Sequence, residues 1–326
     1  MPQHNFPSKA EINICFAHTA YQMSETFERR GTGLRHFQAW LPEEVTARIG
    51  QANILVVSGF WRNDLLDLAP QLRFIQSIGA GYDQFPLDEL QQRGIRLASA
   101  RGVNRNAVSE HALAQVLALA RHIHTGRDNQ QRRHWRGMIS DLSQREDELG
   151  GKTMLIIGLG GIGSRLAKLA KAFDMRVIAT KRNPATAEGP ADEIHTPAKL
   201  SELLPQADFV VLTCPLTPET EQLIDAQALS LMKKSAYLIN MARGRCVDEP
   251  ALLEALHNGS IAGAGIDHFW DEPLPKDSPF WELENVLITP HTAGETRMYE
   301  SNVIDILLEN IDRLSRGETQ LFNQVV

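Results

Sequence analysis

Cysteine is scarce in this chain. Three cysteines in 326 residues, Cys15, Cys214 and Cys246, lie scattered among apolar neighbours with no CxxC and no Cys/His ligand spacing. That excludes a disulfide framework and a zinc site, leaves no metal ligand set to name, and fits a reducing cytoplasm. An excess of basic charge is also missing. Against 40 Asp and Glu stand 33 Lys and Arg, a net charge of −7. A phosphate backbone calls for basic patches, so nucleic acid is not the expected partner, although a local positive pocket remains open. No apolar run is long enough to span a bilayer, and the start Met1-Pro2-Gln3-His4-Asn5-Phe6 lacks the apolar core of a secretory signal. Repeats and low-complexity tracts are absent. What is present, 43% hydrophobic and 22% charged residues, is the make-up of a soluble globular protein with enough chain for two cores.

Short apolar runs alternate with helical patterns, which predicts parallel sheets covered on both faces. Before residue 100 the expected strands are Ile12–Ala17, Ile54–Val57, Arg73–Ile78 and Ile95–Ala98. A long, largely apolar helix is expected from Ala107 to about His124, buried and partly available to a subunit interface. Residues 125–150 are charged and polar and read as a surface excursion. Six further strands follow, at Met154–Ile157, Arg176–Ala179, Phe209–Leu212, Ala236–Asn240, Gly263–Asp267 and Val286–Ile288, the count of a dinucleotide-binding sheet. A final amphipathic helix, about Glu295 to Arg316, carries Val303, Ile304, Leu307, Leu308, Ile311 and Leu314 at helical spacing. It has to pack on the first domain if the nucleotide domain closes by Pro290. The expected fold is α/β, with two Rossmann-like or flavodoxin-like parallel-sheet domains. A dinucleotide-binding domain, 102–291, is inserted into a substrate domain, 1–101 and 292–326.

The run Gly158-Leu159-Gly160-Gly161-Ile162-Gly163 follows the strand Met154–Ile157 and opens a helix in which Ile162, Leu166, Leu169 and Ala170 recur. Strand, glycine turn and helix together form a dinucleotide-binding signal. Gly158 permits the turn, Gly160 admits the pyrophosphate, and Gly163 lets helix and strand pack closely. The phosphates then meet a helix N-terminus, whose free N–H groups favour negative charge.

Three polar residues lie just beyond strand ends. Arg243 follows Tyr237–Asn240, Glu272 follows the strand ending at Asp267, and His291 follows the strand ending at Ile288. Ligands of open α/β sheets bind at that edge. An Arg can grip a carboxylate with two N–H bonds, a His can protonate a developing alkoxide, and a buried carboxylate on the other imidazole nitrogen fixes the tautomer and raises the pKa. Taken singly, each reads more readily as a surface charge, a loop carboxylate or a loop histidine, and spacing does not show that they meet.

Beyond these, Gly79-Ala80-Gly81-Tyr82-Asp83, Val103-Asn104 with Glu110-His111-Ala112, Cys214-Pro215-Leu216-Thr217-Pro218-Glu219-Thr220, Asn240-Met241-Ala242-Arg243-Gly244, Asp267-His268-Phe269 with Asp271-Glu272-Pro273-Leu274, and Thr289-Pro290-His291-Thr292-Ala293-Gly294 span most of the chain. With these stretches the chain resembles the D-isomer-specific 2-hydroxyacid dehydrogenase family. The resemblance implies Arg243 as the substrate-orienting arginine, Glu272 as partner of the histidine, and His291 as the acid/base. It implies a substrate carboxylate held by the N–H groups of Gly79, Ala80 and Gly81. Cofactor contacts are implied at Gly158, Gly160, Gly161, Ile162, Gly163, Cys214, Pro215, Thr220, Met241, Ala242, Asp267 and His291. His111 and Glu110 also match, and helix packing or hydrogen bonding is the expected role for both. A homodimer is implied as well.

One departure bears on the cofactor. Selectivity for NAD usually rests on an acid after the second strand of the fold. Here Arg176–Ala179 is followed by Thr180-Lys181-Arg182-Asn183, with Lys181 where NAD-dependent members of the family tend to carry Asp. Lys181 and Arg182 would attract a 2′-phosphate, with Thr180 and Asn183 as donors, so NADP(H) is favoured over NAD(H). A solvated basic turn that tolerates either cofactor is the alternative. Asp174 precedes the strand and suits a left-handed turn after the helix.

The expected function is hydride transfer between a nicotinamide cofactor and a small 2-keto or 2-hydroxy acid. A glyoxylate or hydroxypyruvate reductase is the favoured subtype, because NADPH suits reduction. Glu272 argues against a formate dehydrogenase. A phosphoglycerate dehydrogenase-like enzyme and a corepressor-like nucleotide sensor without turnover are the rivals. Phe60, Trp61, Trp135 and Trp281 are candidate walls of a side-chain pocket.

Overall fold

The computed structural model describes residues 6–187 and 189–326, the side chain of Ser143 excepted. The stretch inspected above for a secretory signal therefore lies, through residue 5, outside the described residues. The chain divides into two compact units, Met1–Asn104 with Thr296–Val326, and Arg105–Glu295.

The first unit holds β1 (Asn13–Ala17), β2 (Arg35–Ala39), β3 (Ile54–Val57), β4 (Phe74–Ser77) and β5 (Arg96–Ala98). All pairings are parallel, in the order β2-β1-β3-β4-β5. β3 and β4 are buried along their whole length, as expected of strands covered on both faces. β2 is the strand that the sequence reading lacks. It is an edge strand, Arg-His-Phe-Gln-Ala, exposed or half-buried at all but its last residue, so it needs no continuous apolar run. One face of the sheet is covered by the helix Tyr299–Ser315, whose Val303, Ile304, Leu307 and Ile311 pack among Ile14, Phe16, Val56 and Phe74. Two polar ties reach the same helix. Tyr299 donates its hydroxyl to the Ile78 carbonyl (3.0 Å), and Asn310 donates to Gln76 (3.1 Å).

The second unit holds β6 (Thr153–Ile157), β7 (Arg176–Thr180), β8 (Glu193–His195), β9 (Phe209–Leu212), β10 (Tyr237–Asn240), β11 (Gly263–Ile266) and β12 (Val286–Ile288). The order is β12-β11-β10-β9-β6-β7-β8, again all parallel. The chain runs outward through β7 and β8 and then crosses back to β9 beside β6. That reversal is a topological switch point, where the strand ends leave a crevice for a ligand. Seven strands stand where six are expected. The addition, β8, is a three-residue edge strand with two polar residues and no buried position.

The long helix also differs from expectation. It runs Arg105–Ala120, and a second helix, Ile123–Gln131, begins after His122, whose φ of 49° breaks the first. Val108, Ala112, Val116 and Leu119 of the first helix pack with Leu166, Ala167 and Ala170 of the helix Gly161–Lys171. Much of its apolar surface is therefore satisfied inside its own unit. The polar stretch after residue 124 begins as helix, and no residue of the helix Ile123–Gln131 is buried.

Candidate active site

The glycine turn lies at the switch point. β6 ends at Ile157, Gly158 takes φ +103°, and the helix Gly161–Lys171 opens with Gly160 as its N-cap. A Cβ on Gly158 would stand 2.7 Å from the backbone of Cys214 at the end of the neighbouring strand β9. A Cβ on Gly163 would stand 2.4 Å from the Gly158 carbonyl oxygen and 2.9 Å from Thr213 Oγ1. A Cβ on Gly160 would meet nothing within 4 Å. Gly158 and Gly163 are thus required by the packing of the turn, whereas Gly160 keeps open the space before the helix N-terminus. Arg105, which the sequence reading passes over, lies beside that N-terminus, its Cδ 3.5 Å from a Cβ placed on Gly161.

In front of the turn is a cavity of about 380 Å³ lined in part by Gly158, Gly160, Thr180, Lys181, Arg182, Cys214, Pro215 and Thr220. Thr180 is the last residue of β7, one beyond the expected end, and is buried. Its carbonyl accepts from Gly158 N (3.2 Å) and Leu159 N (3.0 Å). Lys181 Nζ donates to the Thr186 carbonyl (2.6 Å). Glu219 lines the same cavity; the Thr217 hydroxyl, and more weakly the charge of Arg182, hold its carboxyl below the usual range. Thr220 Oγ1 lies 2.7 Å from the Pro215 carbonyl and 2.7 Å from Thr217 N, so it knits the loop after β9. Cys214 and Cys246, far apart in sequence, are neighbours with buried thiols, and the neighbouring thiol together with burial pushes Cys214 up. Open space at Gly160, free helix N–H groups and two cations in the next turn together fit a dinucleotide.

Arg243, Glu272 and His291 all stand exposed past the carboxyl ends of β10, β11 and β12. His291 Nδ1 lies 2.6 Å from Glu272 Oε2, and Glu272 Oε1 accepts from Phe269 N (3.2 Å). The Glu272 side chain is 36% exposed, so this carboxylate is not the buried one expected. His291 takes φ +54°, with its N–H 3.0 Å from both the Asp267 and the Thr289 carbonyls. Buried Asp267 fastens the same loop. Its Oδ1 accepts from Thr289 Oγ1 (2.5 Å) and Thr292 N (3.1 Å), and its Oδ2 accepts from Ala293 N (3.1 Å). His111 Nε2 lies 3.1 Å from Thr289 Oγ1, and Gln115 donates to the same hydroxyl (3.2 Å). The hydroxyl spends its one proton on Asp267, so His111 is the donor to it and serves as a hydrogen-bonding helix residue.

The Arg243 loop is pinned separately. Asn240 Oδ1 accepts from Ala242 N (3.0 Å), and Asn240 Nδ2 donates to the Arg243 carbonyl (3.0 Å). Met241 and Ala242 are buried beneath it. Between Arg243 and His291 lies His268, a residue the sequence reading quotes but gives no role. Its Nε2 is 3.5 Å from Arg243 NH1, and its ring centroid is 4.1 Å from that of His291.

Residues 113–293 match the NAD binding domain of the D-isomer specific 2-hydroxyacid dehydrogenases. The chain belongs to this family. It is 37% identical over 261 residues to a glyoxylate reductase of Pyrococcus furiosus, covering 78% of this chain and 76% of that one. It is 38% identical over 275 residues to glyoxylate/hydroxypyruvate reductase B of Yersinia pestis, covering 82% of each. Its structure superposes with a TM-score of 0.81 on the NADPH-dependent glyoxylate/hydroxypyruvate reductase of Sinorhizobium meliloti, at 27% identity, over 97% of this chain and 98% of that one. As a D-2-hydroxyacid dehydrogenase the chain is an oxidoreductase that acts on the CH–OH group of small 2-hydroxy acids with a nicotinamide cofactor.

In the first unit, Gly79, Ala80 and Gly81 follow β4, and Ser77 Oγ lies 3.0 Å from the Gly79 carbonyl and 3.2 Å from the Gly81 carbonyl. Their N–H groups donate no backbone hydrogen bond among the described residues. Trp61 is a core residue against Phe85, whereas Trp135 is 97% exposed. Asp174 has φ +56°, the left-handed turn expected of it.

Burial, followed by the charges of His291 and Arg243, pushes His268 from 6.5 down to about 3. The folded state keeps this ring neutral while the unfolded chain protonates it below pH 6.5. Stability from this group is present above 6.5 and is lost as the pH falls toward 3. Between pH 7 and pH 5 the wild type should lose about 2 kcal/mol that His268→Gln does not. Urea unfolding at the two pH values measures it, and equal slopes for both chains would remove the assignment.

Proposed function

We propose that this enzyme reduces a small 2-keto acid of the glyoxylate or hydroxypyruvate type to the D-2-hydroxy acid with NADPH. The observation that carries the reading is the 2.6 Å contact of His291 Nδ1 with Glu272, beside Arg243 at the same sheet edge. A nicotinamide cofactor held in front of the glycine turn would supply the hydride for the keto carbon. Glu272 accepts a hydrogen bond from Nδ1–H of His291, so the exchangeable proton sits on Nε2. His291 gives that proton to the oxygen as it becomes an alkoxide. Arg243 grips the carboxylate–carbonyl edge of the substrate. The glycine turn takes the pyrophosphate, and Asp267 holds the loop that carries His291 and meets the cofactor.

The preference for NADPH is supported by Lys181 and Arg182 in the cavity wall and by the lack of an acid at residues 181–183. Glyoxylate reduction should run with kcat/KM roughly tenfold higher for NADPH than for NADH, and Lys181→Asp should erase that ratio. Faster turnover with NADH would overturn the cofactor assignment and leave the chemistry standing. No turnover with glyoxylate, hydroxypyruvate, pyruvate or phenylpyruvate would overturn the proposed reaction.

The reading includes a homodimer. Its support is not the helix Arg105–Ala120 but the segment after it, where Ile123 (57%), Trp135 (97%), Met138 (101%) and Leu142 (75%) are exposed. Large apolar side chains gathered on one short segment mark a surface that a second copy would cover. Light scattering should give twice the chain mass for the wild type and less for Trp135→Asp/Met138→Asp. A monomeric wild type would sink this. A cytoplasmic location is proposed from the free thiols, checked by cell fractionation. Among the described residues no helix is long and apolar enough to cross a membrane.

A further inference from the structure

His268 is 6% exposed and lies against two groups the proposed reaction uses. The backbone brings it there. A Cβ on Gly244 would stand 2.1 Å from the Phe269 carbonyl, so the loop after β10 rests directly on the backbone that follows His268. Arg243 NH1 donates to its own Ala242 carbonyl (2.7 Å) and faces His268 Nε2 at 3.5 Å. A guanidinium only donates, so Nε2 must present its lone pair and the ring proton must sit on Nδ1. That nitrogen is buried and has no hydrogen-bond partner among the described residues; Asp267 Oδ2 lies 3.7 Å away. Among the described residues no other hydrogen bond is made by the Arg243 guanidinium. NH1 is therefore held by the protein, and the edge formed by Nε and NH2 stays free for a two-pronged bond to a carboxylate.

We propose that His268 is a positioning residue: its neutral, Nδ1-protonated ring holds NH1 of Arg243, turns the free edge of the guanidinium to the substrate, and spaces Arg243 from His291. The proposal rests on the reading that Arg243 grips the keto acid. A neutral ring suits the place, because a third cation between Arg243 and a protonated His291 would repel both. The sequence signal for it is slight, a single polar residue one step past Asp267 at a strand end.

The test compares wild type, His268→Val and His268→Gln, with His268→Met in place of valine if that chain does not fold. The readouts are the KM for glyoxylate, the KM for NADPH, and the affinity for oxamate, an isostere of a 2-keto acid, in the presence of NADPH. The apolar variant should raise the glyoxylate KM and weaken oxamate roughly tenfold, with the NADPH KM unchanged within twofold. Glutamine, whose Oε1 can take the place of Nε2, should restore most of the loss. An unchanged oxamate affinity in the apolar variant would overturn the proposal. So would a glutamine variant as impaired as the apolar one, since packing alone would then account for the effect. Calorimetry with oxamate needs no turnover, so a wild type inactive on every keto acid would sink the proposed function while this inference is still measured.

Discussion

Replacing His291 by alanine should lower kcat for glyoxylate reduction about 10³-fold, the range for loss of a positioned general acid. NADPH binding should survive, because the cavity in front of the glycine turn is lined by other residues. An alkoxide forming at the keto carbon has to find a proton as it forms, and in the proposed reaction His291, with Nδ1 held 2.6 Å from Glu272, is the donor. Glu272→Gln should fall less, about 10- to 100-fold, since the amide oxygen still accepts the Nδ1 proton and only the negative charge is lost. Steady-state kinetics at saturating NADPH, with nucleotide binding followed by fluorescence, separate the two effects. A kcat for His291→Ala within threefold of wild type would remove His291 from the chemistry. Lost binding with intact turnover at high nucleotide would move it to the cofactor site.

The second large effect is expected at the glycines, and it should split in two. Gly163→Ala places a Cβ 2.4 Å from the Gly158 carbonyl oxygen, a backbone atom of the same turn that cannot swing away. The helix Gly161–Lys171 would have to lift from β6, at a cost of about 3 kcal/mol, typical of strong overpacking. In a unit of the size of Arg105–Glu295 that lowers Tm by roughly 6–12 °C. Gly160→Ala meets nothing within 4 Å, so its Tm should stay at the wild-type value. Its methyl group would instead occupy the open space before the helix N-terminus and weaken NADPH binding at least about tenfold. Thermal unfolding without ligand, alongside nucleotide titration, reads both. An unchanged Tm for Gly163→Ala would mean that the turn is not packed as described. Unchanged nucleotide affinity for Gly160→Ala would mean that the pyrophosphate lies elsewhere.

Much of the fold is legible in the residues because parallel strands buried on both faces must be apolar almost throughout. Leu155-Ile156-Ile157, Val210-Val211-Leu212 and Ile54–Val57 announce themselves in that way. β2 and β8 do not. Edge strands are solvated on one side, and Arg-His-Phe-Gln-Ala and Glu-Ile-His satisfy a ladder by backbone pairing with no apolar run. The break at His122 is hidden for another reason. A left-handed residue inside a sequence of helical period leaves no mark on the period.

The site divides along the same line. By themselves the residues determine the turn Gly158–Gly163, because Gly158 and Gly163 admit approaches that a Cβ would block, and the basic turn at Lys181 and Arg182, because an acid is simply not there. They also place Arg243, Glu272 and His291 at strand ends, since a strand of given length ends where its apolar run ends. Contact is another matter. That His291 meets Glu272, that Asp267 spends its carboxylate on the loop carrying His291, and that His268 fills the space beside Arg243 follow from the pairing of β10, β11 and β12 and from the close seat of Gly244 on Phe269. Period and spacing describe one element at a time. The distance between side chains on different strands is set by register and by backbone-to-backbone packing, which only the folded chain possesses.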